Sequence, residues 1–173
     1  MIKQKLTLEQ INALGLDAFV EHLGSVFEHS PWFAEATWTK RPFTDLPHLH
    51  QALCASVRQA GDAAQLALIQ AHPDLVGRAA LAGTLTPQSN AEQASAGLHD
   101  LTKDEIATFQ RFNQAYRDRF GFPFIICARL NKKEAILAAF PKRLDLSRQQ
   151  EIQSALAEIF KIARLRLEDL VAP

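Results

Sequence analysis

The sequence predicts an all-α protein, a single compact multi-helix domain that spans residues 1–173. Four segments match the capping box with which many helices begin, and only one short segment has the composition of a β-strand. The chain has 173 residues, 47% of them hydrophobic, which suits one substantial core better than two. We therefore expect several helices around one core, with no linker between domains.

The four capping boxes predict four helix starts. In each box a hydroxyl side chain and a Glu or Gln three residues later accept hydrogen bonds from each other's backbone N–H groups. The boxes are Thr7-x-x-Gln10, Ser89-x-x-Glu92, Thr102-x-x-Glu105 and Ser147-x-x-Gln150. Helices are also predicted over residues 45–60 and 62–71, from apolar residues spaced three to four positions apart, and over residues 132–140, from residues that favour helices.

One segment, Phe124-Ile125-Ile126-Cys127, has the composition of a strand. It is short, it follows Pro123, and the sequence offers no second segment to pair with it. We therefore predict that it is an extended connection or the start of a helix.

Charge and apolar patterning exclude several classes of partner. The chain carries 19 basic and 19 acidic residues, so no overall field would attract nucleic acid or an anionic membrane. No apolar run approaches the length of a membrane span, and residues 1–20 lack the apolar centre of a signal peptide. Cys54 and Cys127 lie far apart in apolar surroundings, as reduced core thiols do. These features predict a cytoplasmic protein.

His72 is the first candidate for catalysis. Because Pro73 disfavours helical geometry at the residue before it, the helix predicted over residues 62–71 should end at His72. The negative pole of that helix would stabilise the protonated imidazole and suit it to act as a general acid near neutral pH. The alternative is a histidine that only caps the last carbonyls of the helix and packs.

Glu92 and Gln93 also have two interpretations. With His72 and the apolar loop near residue 124 they could form a small polar pocket. Alternatively, Glu92 only completes the capping box of Ser89, and Gln93 is a surface amide. A metal site is not predicted, because the remaining histidines lack the spacing of a known ligand set. These histidines are His22, His29, His48, His50 and His99.

The final helix carries an arginine on its apolar face. At 100° per residue from Ile152, Ile159 lies at about 340° and Arg166 at about 320°, whereas Arg164 lies near 120° and points elsewhere. A buried arginine must meet a carboxylate, a set of carbonyls or an anionic ligand to offset its desolvation. The sequence leaves open whether Arg166 binds a ligand, pairs with a structural Asp or Glu, or extends its charged end to solvent.

Two functional hypotheses from different classes fit these features. The first is a partner-binding module, because the tripeptide His72-Pro73-Asp74 is the hallmark of J-domain co-chaperones. The helix before that tripeptide is strongly basic in J-domains, whereas residues 60–71 contain no Lys or Arg. The second is an enzyme that uses no cofactor.

Several short blocks of the sequence carry a resemblance to a known family. They are Phe27-Glu28-His29-Ser30-Pro31-Trp32, Arg41-Pro42-Phe43, Ala71-His72-Pro73-Asp74-Leu75, Ser89-x-x-Glu92-Gln93-x-x-Ala96-Gly97-Leu98, Asn113-x-x-Tyr116-x-x-x-Phe120-Gly121-Phe122-Pro123-Phe124-Ile125, Arg143-Leu144 and Leu165-Arg166-Leu167. In these blocks, which follow one another in the family's order, the chain resembles the 2-oxo-4-hydroxy-4-carboxy-5-ureidoimidazoline (OHCU) decarboxylase family over nearly its whole length.

This resemblance implies an all-α fold, usually a homodimer, that removes CO2 from OHCU to give (S)-allantoin in the last step of urate breakdown. It implies no metal and no organic cofactor. By the same resemblance, His72 is the catalytic histidine, and Glu92 lies with Ser89 and Gln93 on the polar side of the pocket. From the chemistry of a histidine beside a carboxylate, we expect Glu92 to share the proton of His72 or to orient its ring. The substrate-binding residues that it implies are Pro73, Ser89, Gln93, Phe124, Ile125, Ile126, Cys127, Ala128 and Arg166. Residues 124–128 would contact the substrate through their backbone, and Arg166 would hold its negative charge.

Overall fold

The computed structural model describes residues 4–173, whose regular elements are all helical. The α-helices in this part of the chain are α1 Leu8–Ala13, α2 Leu16–Leu23, α3 Trp32–Trp38, α4 Leu46–Gln59, α5 Asp62–Ala71, α6 Arg78–Leu81, α7 Pro87–Ser95, α8 Lys103–Phe120, α9 Lys133–Leu144 and α10 Arg148–Leu170. A 3-10 helix covers Ala128–Leu130, and an isolated bridge joins Leu6 to Val171. The predicted all-α class is confirmed.

The contacts within the chain form two units. The first comprises the described residues up to Ala71 together with Phe160–Pro173; there α2 packs against α3, and α3 against α4. The second comprises His72–Ile159, and its core is aromatic, with Phe109, Tyr116, Phe122 and Phe140 fully buried. The prediction of one domain over residues 1–173 stays a prediction.

Three of the four predicted capping boxes are present. Thr7 with Gln10, Thr102 with Glu105 and Ser147 with Gln150 each form both reciprocal hydrogen bonds, at 2.8–3.3 Å. The prediction for Ser89 is wrong. Helix α7 begins three residues earlier, at Thr86, whose hydroxyl accepts a hydrogen bond from the Ser89 N–H at 3.2 Å. Pro87 explains the shift, because its fixed φ and missing N–H suit the first helical position.

The three helices predicted from periodicity and composition are also present, as α4, α5 and α9. Helix α9 runs four residues beyond the predicted end, through Pro141. Three short helices were not predicted, namely α2, α3 and α6. Their N-cap residues are Gly15, Pro31 and Gly77, and none makes a side-chain capping bond, so the sequence lacks the usual start signal.

The strand-like segment at residues 124–127 is an extended connection, as predicted. It leads from the end of α8 into the 3-10 helix Ala128–Leu130. Cys54 and Cys127 are both buried free thiols, which agrees with the interpretation of core cysteines. Among residues 4–173 no helix is long and apolar enough to cross a membrane.

The revised start of α7 makes a testable prediction about stability. Replacing Thr86 with Ala should lower the free energy of unfolding by about 1 kcal/mol, because the Ser89 N–H loses its capping acceptor. Thr86→Ser keeps the hydroxyl and should retain most of the stability. Urea unfolding followed by circular dichroism measures both variants. Equal stability of the Ala variant and the parent would show that the helix starts elsewhere.

Candidate active site

His72 lies where the sequence predicts, directly after α5, which ends at Ala71. The residue is buried, with 7% of its surface exposed. Pro73 and Asp74 follow without regular secondary structure, and a turn begins at Leu75. An imidazole in this position is shielded from bulk water and held by a backbone that the proline stiffens.

The turn after His72 is unusually constrained. Val76 has a φ of 53°, in the left-handed region that β-branched residues rarely adopt. At Gly77 a Cβ atom would lie 2.5 Å from the Cβ of Asp74, so only glycine fits. Such a backbone persists because its surroundings hold it, and it keeps the residues after His72 in one conformation.

Side chains from α7 and α8 hold this turn. The Gln93 side-chain oxygen accepts a hydrogen bond from the Val76 N–H at 3.1 Å, and the Asn113 side chain donates to the Leu75 carbonyl at 2.8 Å. Arg117 forms an ion pair with Asp74 at 2.9 Å. Gln93 is buried, so its interpretation as a surface amide is wrong.

Helix α7 also positions Ser89 and Glu92. Ser89 and Gln93 lie four residues apart on one buried face of the helix, and Glu92 is half-buried beside them. Because Thr86 caps the helix, the Ser89 N–H donates to Thr86, and the interpretation of Glu92 as a mere capping-box residue is wrong. The carboxylate of Glu92 therefore belongs to the body of the helix, on the same side as two buried polar residues.

The connection at residues 124–128 lies against α7. The 3-10 helix packs on α7, and the Lys133 N–H donates to the Ala96 carbonyl just beyond the end of α7, at 3.2 Å. Burial raises the pKa of the Cys127 thiol, and the carboxylates of Glu158 and Glu92 raise it further. Cys127 is therefore a neutral thiol near pH 7 and no activated nucleophile.

Most side chains of residues 124–128 pack in the core of the second unit. The Phe124 ring stacks on Phe140, with ring centroids 3.8 Å apart, and meets Tyr116 edge to face. Of the five residues, only Ile126 is not fully buried. The contact of this backbone with a substrate, which the family resemblance implies, stays a prediction.

Arg166 is buried on the apolar face of α10, as its helical phase predicts, and lies in the first unit. Its guanidinium forms an ion pair with Glu28 at 2.9 Å and donates to the Ser25 carbonyl at 3.2 Å. Arg164 is partly exposed and pairs with Glu168 on the same helix. Of the partners that the sequence left open for Arg166, the structure shows a carboxylate and a carbonyl. Its role toward a substrate stays a prediction.

The properties of individual residues did not predict several charged side chains that pair with each other or bind the backbone of residues 124–128. Arg143 and Glu151 form a buried ion pair at 2.6 Å, and Glu158 accepts the Cys127 N–H at 2.8 Å. Helical phase could have found Glu151, because it lies within about 40° of Ala155 on the buried face of α10. Among residues 4–173, no three His, Cys, Asp or Glu side chains are grouped so as to hold a metal ion.

Comparisons with known proteins converge on one family. A family model described as OHCU decarboxylase matches residues 12–168. An OHCU decarboxylase from Haloferax volcanii is 44% identical over 165 residues, which cover 95% of this chain and 96% of that protein. The solved structure of an (S)-allantoin synthase matches with a TM-score of 0.77 and 29% identity, over 95% of this chain and 54% of that one. An OHCU decarboxylase solved in the presence of (S)-allantoin matches with a TM-score of 0.66 and 25% identity, over 88% and 96% of the two chains.

Proposed function

Since the chain belongs to the OHCU decarboxylase family, we propose that it is a carboxy-lyase that converts OHCU to (S)-allantoin in the degradation of urate. The observation that carries this proposal is the family match over residues 12–168, within which the buried His72 follows the end of α5. Family membership decides between the two hypotheses from the sequence in favour of the enzyme.

The substrate carries its own electron sink. The carboxylate of OHCU is attached to a ring carbon that also bears a hydroxyl group. When the carbon–carbon bond to the carboxylate breaks, CO2 leaves. The electron pair of that bond stays on the ring carbon, and the adjacent imine and carbonyl delocalise it. A proton is then added on one face. The protein must orient the ring, stabilise the developing anion and deliver that proton.

We assign the proton transfer to His72. It is buried directly after the C-terminal end of α5, and histidine is the side chain that most often transfers protons in enzymes. Glu92 is the second catalytic residue of the proposal, as the group that shares the proton of His72 or orients its ring. A carboxylate on the half-buried face of α7 suits both tasks.

The substrate-binding part of the proposal uses polar groups around His72. Ser89 and Gln93 offer a hydroxyl and an amide on the buried face of α7, and Pro73 would lie beside the ring. The backbone of residues 124–128 offers donors and acceptors that match the alternating ones of the ureido group and the ring. Arg166 is included through the family resemblance, as the arginine that holds the negative charge of the substrate.

We also propose that the protein works as a homodimer in the cytoplasm. The family resemblance supports the dimer. The location is supported by Cys54 and Cys127, two buried cysteines that form no disulfide. Size-exclusion chromatography with light scattering measures the oligomeric state directly.

The proposed activity is tested with freshly generated OHCU. The purified protein should produce optically active allantoin faster than the spontaneous reaction does, as measured by circular dichroism. The spontaneous reaction gives both enantiomers equally. Allantoin that forms at the background rate, or without optical activity, would refute the proposal.

Chelation provides a second test of the mechanism. Because the substrate can delocalise its own electrons, we expect exhaustive treatment with EDTA followed by desalting to leave kcat unchanged. The parent protein carried through the same steps without chelator is the control. Loss of activity that one specific metal restores would mean that the enzyme uses a metal ion.

A further inference from the structure

We propose that Arg143 is a positioning residue, which fixes the backbone of residues 124–128 through the Ile125 carbonyl. The Arg143 side chain donates a hydrogen bond to that carbonyl from Nη1. The inference rests on the proposed function, because it assigns Arg143 a role in the same reaction without contact to the substrate. All the residues involved lie within the second unit, His72–Ile159.

Arg143 is held in turn by a buried carboxylate. Its Nε donates to Glu151 at 2.6 and 3.0 Å, and Glu151 is completely buried in α10. A buried carboxylate without a partner would be costly, so this pair restricts the guanidinium to one position. The arginine thus links two helices, α9 and α10, to the carbonyl of Ile125.

Tyr116 completes the anchor from a third helix. Its hydroxyl, on α8, donates to the second oxygen of Glu151 at 2.6 Å. Burial and the hydrogen bond to Glu151 raise the pKa of Tyr116 well above its usual range, so the phenol keeps its proton at any working pH. The Glu151 carboxylate therefore has two charge-assisted donors, and neither titrates near neutral pH.

The connection is held at three of its five residues, Phe124, Ile125 and Cys127. The Arg143 guanidinium lies over the Phe124 ring, 4.4 Å from its centroid, while it binds the carbonyl of the next residue. Two residues later, Glu158 accepts the Cys127 N–H at 2.8 Å. Between these anchors lies Ile126, the only residue of the five that is not fully buried. Arg143 and Glu158 therefore restrain the backbone on both sides of the one position that remains accessible.

The proposed role gives a reason for the presence of the hydrogen-bonded network of Arg143, Glu151 and Tyr116 in an otherwise aromatic core. An apolar pair of similar volume would stabilise such a core equally well or better. The network instead determines where one extended segment lies, and a displacement of about 1 Å in a substrate-positioning group can lower a rate by up to about a hundredfold. The proposed reaction depends on that segment for backbone contacts to the ring.

The test compares Arg143→Lys with Arg148→Lys. Arg148 is a matched control in the same unit, because it also donates to a backbone carbonyl, that of Phe120 at 3.3 Å, and lies over the ring of Phe122. A lysine cannot bind Glu151 and the Ile125 carbonyl together in the planar geometry of a guanidinium. We expect Arg143→Lys to lower kcat for OHCU about tenfold or more with a smaller change in KM, and Arg148→Lys to leave both unchanged.

Hydrogen exchange measured by mass spectrometry provides a readout without substrate. In Arg143→Lys the peptide that covers residues 124–131 should exchange at least about tenfold faster, and in Arg148→Lys it should exchange at the parent rate. If the parent protein does not convert OHCU, the proposed function fails, and the exchange rates alone decide whether Arg143 fixes the segment. Parent-like exchange in a folded Arg143→Lys variant overturns the inference. A lower melting temperature with parent-like kcat also overturns it, because the role would then be only structural.

A milder variant covers the case in which Arg143→Lys does not fold. Tyr116→Phe removes only the hydroxyl that binds Glu151 and leaves both charges in place. We expect faster exchange of the same peptide and a severalfold lower kcat. Parent-like values for both would overturn the inference.

Discussion

Replacing His72 with Asn is expected to lower kcat for OHCU by about a hundredfold or more, the range for the loss of a general acid or base. Asparagine keeps much of the size and polarity of the imidazole and cannot exchange a proton near neutral pH. Because the turn after His72 is held by Gln93, Asn113 and Arg117, the variant should keep its fold. KM should change less than kcat.

The control for this prediction is His99→Asn. His99 is an exposed histidine of the same unit, outside the proposed site, and its replacement should leave the kinetics unchanged. Both variants are compared with the parent by steady-state kinetics and by thermal unfolding. Near-parent turnover by a folded His72→Asn variant would refute the assignment of His72 as the proton donor.

The sequence predicted the parts of the fold that depend on local signals. Pro73 sets the end of α5, and Pro123 precedes an extended segment, since both act on neighbouring backbone. The start of α7 was misplaced because Thr86 and Ser89 both offer a hydroxyl, and the decisive signal was the proline after Thr86. When two possible N-cap residues lie three positions apart, a hydroxyl group alone does not show which one begins the helix. The residues that follow each of them, here a proline, must be considered as well.

The supporting charges of the site could not be predicted in the same way. Arg143 pairs with a residue eight positions later and binds a carbonyl 18 positions earlier, and no local pattern encodes such a pairing. The sequence indicated that Arg166 needs a partner, but its partner Glu28 lies in an irregular segment far from it in sequence. Periodicity identifies a charge on an apolar face and says nothing about which residue meets it.

The ion pair of Arg166 with Glu28 makes the second large prediction. Replacing Arg166 with Met should lower the free energy of unfolding by about 3–5 kcal/mol, because it removes the buried guanidinium that pairs with the buried carboxylate of Glu28. Replacing Arg164 with Met breaks only a partly exposed pair within one helix, and should cost about 0.5 kcal/mol or less. Urea unfolding of both variants measures the difference. Equal losses would mean that the buried pair contributes no more than the exposed one.

A double variant separates the structural role of Arg166 from the proposed substrate contact. Glu28→Leu together with Arg166→Met removes both charges and should recover most of the stability lost in Arg166→Met, since an apolar pair can replace a buried ion pair. If Arg166 also holds the substrate, the recovered protein still lacks the planar guanidinium, and its KM or kcat stays impaired. Arg166→Lys should then be impaired as well, whereas Arg164→Lys should behave like the parent. If activity returns together with stability in the double variant, Arg166 serves only to neutralise Glu28, and its assignment as a substrate-binding residue fails.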